Sequence, residues 1–116
     1  MLYFSEIVNK KVYTEDNIHI GYLEDIIFLV AENPLVTKIV IRNKDNQRLI
    51  ISTDYLQKID KNLIIEKEFL VTSLEENELY LVKNLLDKKI IDLKGNKIVR
   101  VNDVALQDEE KLSIAG

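Results

Sequence analysis

The sequence predicts a mainly β fold, consisting of a small β-barrel of antiparallel strands with short helical turns, plus a second, incomplete repeat. Three observations predict it. Short apolar, β-branched runs alternate with polar turns, two stretches of chain resemble each other at a fixed spacing, and both stretches break their apolar alternation at the same place. Hydrophobic residues make up 47% of the 116 residues, which is enough to build a packed core.

The repeat aligns residues 5–29 with residues 83–107 without a gap, at an offset of 78 positions. Each copy contains a short strand, a polar turn and a longer strand. Asn17 and Gly95 occupy the same place in the two turns, and both residue types tolerate positive φ, which predicts tight hairpins. The predicted strands are Lys11–Thr14 and His19–Leu29 in the first copy, and Lys89–Asp92 and Lys97–Gln107 in the second.

The longer strand of each copy shows a phase slip. In the first copy the apolar side chains alternate through Leu23 and resume at Ile26, one residue out of step, and the second copy slips at the same point. Because side chains alternate strictly across a strand, the slip predicts an extra residue, that is, a β-bulge. The predicted bulges lie at Glu24-Asp25 and Asn102-Asp103.

The remaining elements follow from local signals. Pro34 indicates a loop, and the polar run 43–47 between two β-branched segments predicts a hairpin. A capping-box spacing at Ser73–Glu76 predicts the start of a short helix. In order, we predict strands Thr37–Arg42 and Arg48–Ser52, a helical turn over Thr53–Ile59, strands Asn62–Glu66 and Phe69–Thr72, a helix through Glu78–Leu86 and a strand in Lys111–Ala115.

These elements predict a first repeat over residues 1–75 and a second over residues 76–116, packed on the first or exchanged within a dimer. The second repeat lacks counterparts of Arg48–Ser52 and Asn62–Glu66, so we expect a strand edge that pairs with the first repeat or with another molecule.

Two segments resemble the opening of PRC-barrel domains, small β-barrels found in the photosynthetic reaction centre H chain and in the ribosome-maturation protein RimM. They are residues 4–13 and 20–27. Gly21, Leu23, Asp25 and Ile26 match the family pattern, whereas Asn9 and Asn17 stand where the family usually has glycine. Residues 50–59 resemble a later family stretch without its proline.

Residues 80–92 and 94–104 resemble one subgroup, in which PRC-barrel repeats precede an MgtE-type intracellular domain in magnesium-transporter-like proteins. The resemblance implies a cytosolic accessory or regulatory module of an MgtE-like magnesium-transport protein. It also implies a cytoplasmic location, with attachment to the inner face of the membrane through a partner or a downstream domain.

Asp25 and Asp103 are the acidic residues that the repeat keeps at equivalent positions, so they are the candidate metal ligands. One aspartate in each copy supplies too few oxygens for Mg²⁺, and we favour the interpretation that each accepts backbone N–H groups freed by its bulge. We therefore expect no cofactor. As interaction residues we predict Arg100 and Asn102 in the distinctive second-copy string, and Leu112 and Ile114 on the final strand.

Composition weighs against several functional classes. There is no cysteine, and we find no phosphate-binding glycine loop, zinc spacing or nucleophile elbow, so we expect no enzymatic activity and no catalytic residue. Sixteen basic against twenty acidic residues give a net charge of −4, which argues against nucleic acid as the partner. No apolar run reaches the length of a membrane span.

We therefore expect a non-catalytic module that binds a protein partner or a downstream intracellular domain, with strand addition at the free edge as the contact mode. A homodimer formed through the same edge stays open. So do two further functions: a ribosome-assembly or RNA-processing accessory domain similar to the barrel of RimM, and a divalent-metal sensor.

Overall fold

The computed structural model describes residues 2–86, 89–91, 98–100, 103–108 and 111–115, and the fold is mainly β, as predicted. The helical segments are α1 (Phe4–Ile7), a 3-10 turn (Thr53–Tyr55) and α2 (Leu81–Asn84). The strands are β1 (Leu2–Tyr3), β2 (Lys11–Thr14), β3 (His19–Leu29), β4 (Val36–Asn43), β5 (Arg48–Ser52), β6 (Leu56–Ile59), β7 (Leu63–Ile65), β8 (Glu78–Tyr80), β9 (Lys89–Ile91), β10 (Ile98–Arg100), β11 (Ala105–Asp108) and β12 (Leu112–Ala115).

The main sheet has the strand order β5-β4-β3-β2-β7-β6, and β8 pairs with the C-terminal end of β3. The prediction of purely antiparallel strands is wrong at one place, because β2 and β7 are parallel. Parallel neighbours need a long crossover, which the chain from β3 to β6 supplies. Among the described residues no pairing joins β6 to β5, so the barrel expected from the sequence is not closed by hydrogen bonds.

The long strand β3 carries the predicted bulge. Its register with β4 shifts between Leu23 and Asp25, which leaves Glu24 as the extra residue. Leu23 and Ile26 are three positions apart and would face opposite sides of a regular strand, yet both are fully buried. The bulge therefore keeps one continuous apolar face on β3, against which Val12 of β2 and Ile39 of β4 pack in the same core.

Three backbone positions explain how the first hairpin and its entry are made. Asn9 and Asn17 have φ of 68° and 72°, the left-handed conformation that glycine adopts most readily and asparagine tolerates. Gly21 lies between β2 and β4, where a Cβ atom would overlap the carbonyl oxygen of Arg42. A glycine is therefore required here by the close approach of β4.

Three local predictions after β5 differ from the structure. The helical turn over Thr53–Ile59 is a 3-10 turn only as far as Tyr55, and the chain then enters β6. The capping box at Ser73 does not begin a helix, because residues 78–80 pair with β3 as a strand and α2 begins at Leu81. Strand pairing in the folded protein outweighs the local helix signal. The predicted strand at Phe69–Thr72 is reduced to one bridge, between Val71 and Ile51.

The hairpin of the second repeat has the register of the first at two of its three described pairs and differs at the third, where Ile91 faces Ile98 whereas Tyr13 faces His19. Lys11 faces Tyr22 across β2 and β3, and Lys89 faces Arg100 across β9 and β10, one repeat length later. The equivalence continues into the next strand pair, since Phe28 faces Val36 and Leu106 faces Ile114. The final strand thus corresponds to the beginning of β4.

The predicted continuous strand Lys97–Gln107 is wrong, because Asp103 and Val104 are not in a strand and lie between β10 and β11. Gly95 and Asn102 lie outside the described residues, so the bulge at Asn102-Asp103 stays a prediction.

The two repeats exchange their opening segments. We call β1 with α1 (residues 2–7) and β8 with α2 (residues 78–84) the lead segments. The lead segment of the first repeat pairs with β11 of the second, and the lead segment of the second pairs with β3 of the first. A strand from the other repeat therefore pairs with β3 in the first repeat and with β11 in the second.

The exchange corrects the ungapped alignment. Leu2-Tyr3 and Leu79-Tyr80 occupy equivalent places, an offset of 77, whereas the hairpins keep the offset of 78. Phe4 and Leu81 follow the two Leu-Tyr pairs, and both are buried in the core. The second copy therefore has one more residue than the first between its lead segment and its hairpin. For this reason the ungapped alignment misplaces residues 5–8.

Equivalent residues of the two repeats contact each other. Leu35 forms an isolated antiparallel bridge with Ser113, which stands 78 positions later, and the Ile114 amide donates to the carbonyl oxygen of Pro34 at 2.8 Å. Contacts between equivalent residues indicate an approximate two-fold relation between the copies. The shared core contains Leu23, Ile39 and Ile65 of the first repeat and Val104, Leu106 and Leu112 of the second.

Candidate functional site

Neither of the two short helices is capped by the side chain of its own N-cap residue. Tyr3 precedes α1 and Tyr80 precedes α2 at the N-cap position, and neither tyrosine side chain accepts a hydrogen bond from the helix. The first N–H groups of a helix have no partner within it and need one from elsewhere. In each case an aspartate of the other repeat provides the acceptor.

Asp25, on the β3 bulge, caps α2. Its Oδ1 accepts the amides of Ile26 at 2.7 Å and Val82 at 2.8 Å, and its Oδ2 accepts the amide of Lys83 at 3.3 Å. The residue is 2% exposed. Burial raises the pKa of the Asp25 carboxyl above its ordinary value, although the backbone amides of Val82, Ile26 and Lys83 oppose the rise.

Asp103 performs the equivalent function for α1. Its Oδ1 accepts the amides of Ser5 at 3.1 Å and Val104 at 2.8 Å, and its Oδ2 accepts the Ser5 hydroxyl at 2.6 Å. Unlike Asp25, this carboxylate is exposed. The hydrogen bond from the Ser5 hydroxyl, outweighing slight desolvation, holds the pKa of Asp103 below its ordinary value.

These contacts bear on the two candidate metal ligands. The structure does not bring Asp25 and Asp103 to a common partner, since one caps α2 and the other caps α1. Their oxygens face N–H and O–H donors, whose positive ends repel a cation. Within the part of the chain that the structure describes, no cluster of three His, Cys, Asp or Glu side chains is placed to hold a metal ion.

The four predicted interaction residues are placed differently. Leu112 is 7% exposed and belongs to the core, and Ile114 packs against that core. Both therefore contact the chain's own first repeat in this structure. Arg100 ends β10, of which only the backbone is described, and Asn102 lies outside the described residues. Contact of these residues with a partner stays a prediction.

Glu24, the extra residue of the bulge, joins β3 to β4 and β5. Its carboxylate accepts Nε of Arg42 at 3.0 Å and Nε of Arg48 at 2.8 Å. The Arg48 guanidinium also lies 4.9 Å from the ring centre of Tyr80, a cation–π contact with the lead segment of the second repeat. The bulge thus presents one acidic side chain to the sheet and the next, Asp25, to α2.

A buried ion pair lies at the junction of the repeats. Lys38 of β4 and Glu78 of β8 are 7% and 6% exposed, and the Lys38 ammonium lies 2.6 and 2.7 Å from the two Glu78 oxygens. The Thr37 hydroxyl donates a hydrogen bond to the Glu78 carboxylate, and the backbone amide of Glu75 donates another at 2.8 Å. Burial would raise the pKa of Glu78, but the hydrogen bonds from Lys38 and Thr37 outweigh it, and the pKa is lowered.

The ion pair forms part of the wall of a cavity of about 550 Å³, which we call the junction groove. Residues of both repeats line it, including Val36 and Leu56 from the first and Lys111 and Leu112 from the second. Its volume lies within the range of pockets that take small ligands or single side chains. It is therefore the candidate binding site of the described chain.

Sequence reasoning missed the ion pair and the groove. The available signal was Lys38, a charged residue inside the apolar run of β4, where burial requires a partner. Glu78 lay in the predicted helix, where an exposed acid needs no explanation. Ser5 was also missed, because the ungapped alignment set it against Lys83 instead of Val82.

Comparison with models of protein families identifies the family of this chain. The family model for the PRC-barrel domain matches residues 1–78, more than half of the chain. No curated protein matches the sequence. None of the described helices is both long and apolar enough to cross a bilayer.

Proposed function

We propose that this chain, which belongs to the PRC-barrel domain family, is a non-catalytic protein-interaction module. The observation that carries the proposal is the use of its acidic groups: Asp25, Asp103 and Glu78 all hold the two repeats together. Their carboxylates accept hydrogen bonds from N–H, O–H and ammonium donors within the chain. The arrangement favours a rigid scaffold over a reaction centre.

The finer part of the proposal is the biological setting. The resemblance of residues 80–104 to repeats that precede an MgtE-type intracellular domain supports a cytosolic accessory or regulatory region of an MgtE-like magnesium-transport protein. In that setting the module contacts the intracellular domain, and Mg²⁺ acts on the partner. The acidic net charge of −4 favours this setting over an RNA-processing role.

Direct binding tests this function. The purified full chain is immobilised, and a purified MgtE-type intracellular domain is titrated over it by biolayer interferometry, with Mg²⁺ and at matched ionic strength without it. We expect saturable binding. In parallel, thermal unfolding of the chain alone in Mg²⁺ is expected to match unfolding at the same ionic strength.

The contrary outcomes are distinct. Absence of binding to the intracellular domain removes the magnesium-transport setting. If the chain does not bind the intracellular domain but co-sediments with ribosomal particles, this result supports a ribosome-assembly role similar to that of the RimM barrel. A rise in melting temperature specific to Mg²⁺ supports the divalent-metal sensor and contradicts the structural role of the carboxylates.

A further inference from the structure

The junction groove continues into an exposed apolar segment. Val71 bridges Ile51 on the outer edge of β5, and the Thr72 amide donates to the carbonyl oxygen of Ile50 at 2.8 Å. Ser52, the next residue of β5, lines the groove, and so does Glu75 at the other end of this segment. Residues 70–75 therefore run from the sheet edge to the wall of the groove.

This segment exposes large apolar side chains. Leu70 is 74% exposed, Val71 56% and Leu74 38%. Single exposed apolar residues are common, but three within five positions beside a cavity form a contiguous surface. The groove wall adds further apolar residues, among them Leu35 and Leu56. The surface thus offers apolar contact both inside and outside the groove.

The charges of this region favour a cationic occupant. The Lys38 ammonium is paired with Glu78 and also lies 3.5 Å from Oε2 of Glu75, whose side chain is 76% exposed; Asp54 and Lys111 are the other charged residues of the groove wall. The adjoining chain adds Glu66 and Glu68 on one side and Glu76 on the other, against Lys67. The surface is therefore apolar with an acidic surround, which repels phosphates and attracts basic side chains.

We propose that the junction groove and residues 70–75 bind an extended segment of a partner protein in which basic and apolar side chains alternate. Alternation places basic side chains toward Asp54 and Glu75 while apolar side chains enter the groove or cover Leu70. This inference rests on the proposed function, since it assigns the surface through which the module binds a protein.

The test uses the full chain and three labelled synthetic peptides: alternating lysine and leucine, alternating glutamate and leucine, and alternating lysine and serine. Binding is measured by fluorescence anisotropy at about 150 mM salt, where long-range attraction between exposed charges is screened. We expect the lysine–leucine peptide to bind at least about tenfold more tightly than either of the other two.

Matched variants locate the contact. Asp54→Asn and Glu75→Gln are each expected to weaken binding of the lysine–leucine peptide about three- to fivefold, as loss of an exposed charge pair does. Leu70→Ser is expected to weaken it similarly. The controls are Asp45→Asn, an exposed charge in the β4–β5 turn, and Ile18→Ser, an apolar side chain that is 56% exposed and outside the groove wall. Both controls should bind like the wild-type chain.

Each outcome has a definite meaning. Equal weakening by Asp45→Asn and Glu75→Gln, or peptide-induced amide shifts in NMR spectra that spare Ser52, Thr53 and Val71, would mean general attraction and overturn the proposal. Butylamine binding as tightly as the peptide would assign the groove to a small amine instead. If the peptide fails while the intracellular domain still binds, this surface assignment is wrong and the proposed function stands; if both fail, both fall.

Discussion

Ser5 and Asp103, 98 positions apart in the chain, are joined by two hydrogen bonds, one from the Ser5 amide and one from its hydroxyl. Asp25 makes the equivalent contact with Val82 in the opposite direction. The repeats are thus held together by a reciprocal pair of helix caps. Asp25 lies at the β3 bulge and Asp103 at the equivalent position of the repeat, so the same position in each repeat caps the lead helix of the other.

The Ser5–Asp103 contact predicts coupling between the ends of the chain. In a double-mutant cycle, Ser5→Ala and Asp103→Asn should show a coupling free energy of about 0.5–1 kcal/mol, reduced from a buried value because the carboxylate is exposed. The free energy of unfolding is measured by urea denaturation. Ser5→Ala combined with Asp45→Asn is the control pair and should be additive; additivity of the Ser5–Asp103 pair would contradict the cap.

Asp25→Asn should destabilise the chain by about 1–2 kcal/mol, because its amide group replaces one acceptor oxygen with a donor that opposes the α2 amides. Hydrogen exchange at Val82 and Lys83 should accelerate. Addition of Mg²⁺ should not alter either result. Asp45→Asn is the control for loss of one carboxylate. A variant of unchanged stability that loses affinity for Mg²⁺ would instead identify Asp25 as a metal ligand.

The equivalent aspartates should titrate on opposite sides of their ordinary value of 3.8, measured by carbon-detected NMR of the carboxyl groups. Burial raises the pKa of Asp25, so its protonation favours the folded state as the pH falls through that raised pKa. Asp103 has a lowered pKa, so its stabilisation is present above pH 3.8 and is lost as the pH falls through the lowered pKa. Coincident titration of the two groups would contradict this difference.

Glu78→Gln should reduce the free energy of unfolding by about 3 kcal/mol near pH 7, because it leaves the buried Lys38 ammonium with a weaker partner. The pKa of Glu78 is below its ordinary value of 4.5, so its stabilisation is complete above that pH and is lost as the pH falls through the lowered pKa. The difference between variant and wild type should therefore shrink in acid. Glu76→Gln, an exposed neighbour, should have little effect; a pH-independent difference would count against the ion pair.

Gly21→Ala should cost about 1–3 kcal/mol, because the new methyl group would collide with the backbone of β4 at Arg42. Thermal and urea unfolding measure the change. Ala31→Ser, which adds one atom to an exposed side chain, is the matched control. Wild-type stability of Gly21→Ala would show that β4 can shift without loss.

Much of the fold follows from local sequence. The strands β2, β3 and β5 have the predicted bounds, because a period of two and polar turns are properties of a few adjacent residues. The bulge at Glu24-Asp25 was predictable for the same reason, since a phase slip is visible in the sequence. The positive φ of Asn9 and Asn17 likewise agrees with the glycines that they replace in the PRC-barrel pattern.

The sequence by itself determined the β character, the main hairpins and the duplicated unit, since alternation and turn chemistry act over short distances. Only the tertiary structure decided that β8 is a strand, that the lead segments are exchanged and that Lys38 is paired with Glu78. These features depend on which strand edges and N–H groups are left without a partner after the local elements form. Remote parts of the chain supply partners for these strand edges and N–H groups. Which remote part does so depends on the free energy of the whole fold.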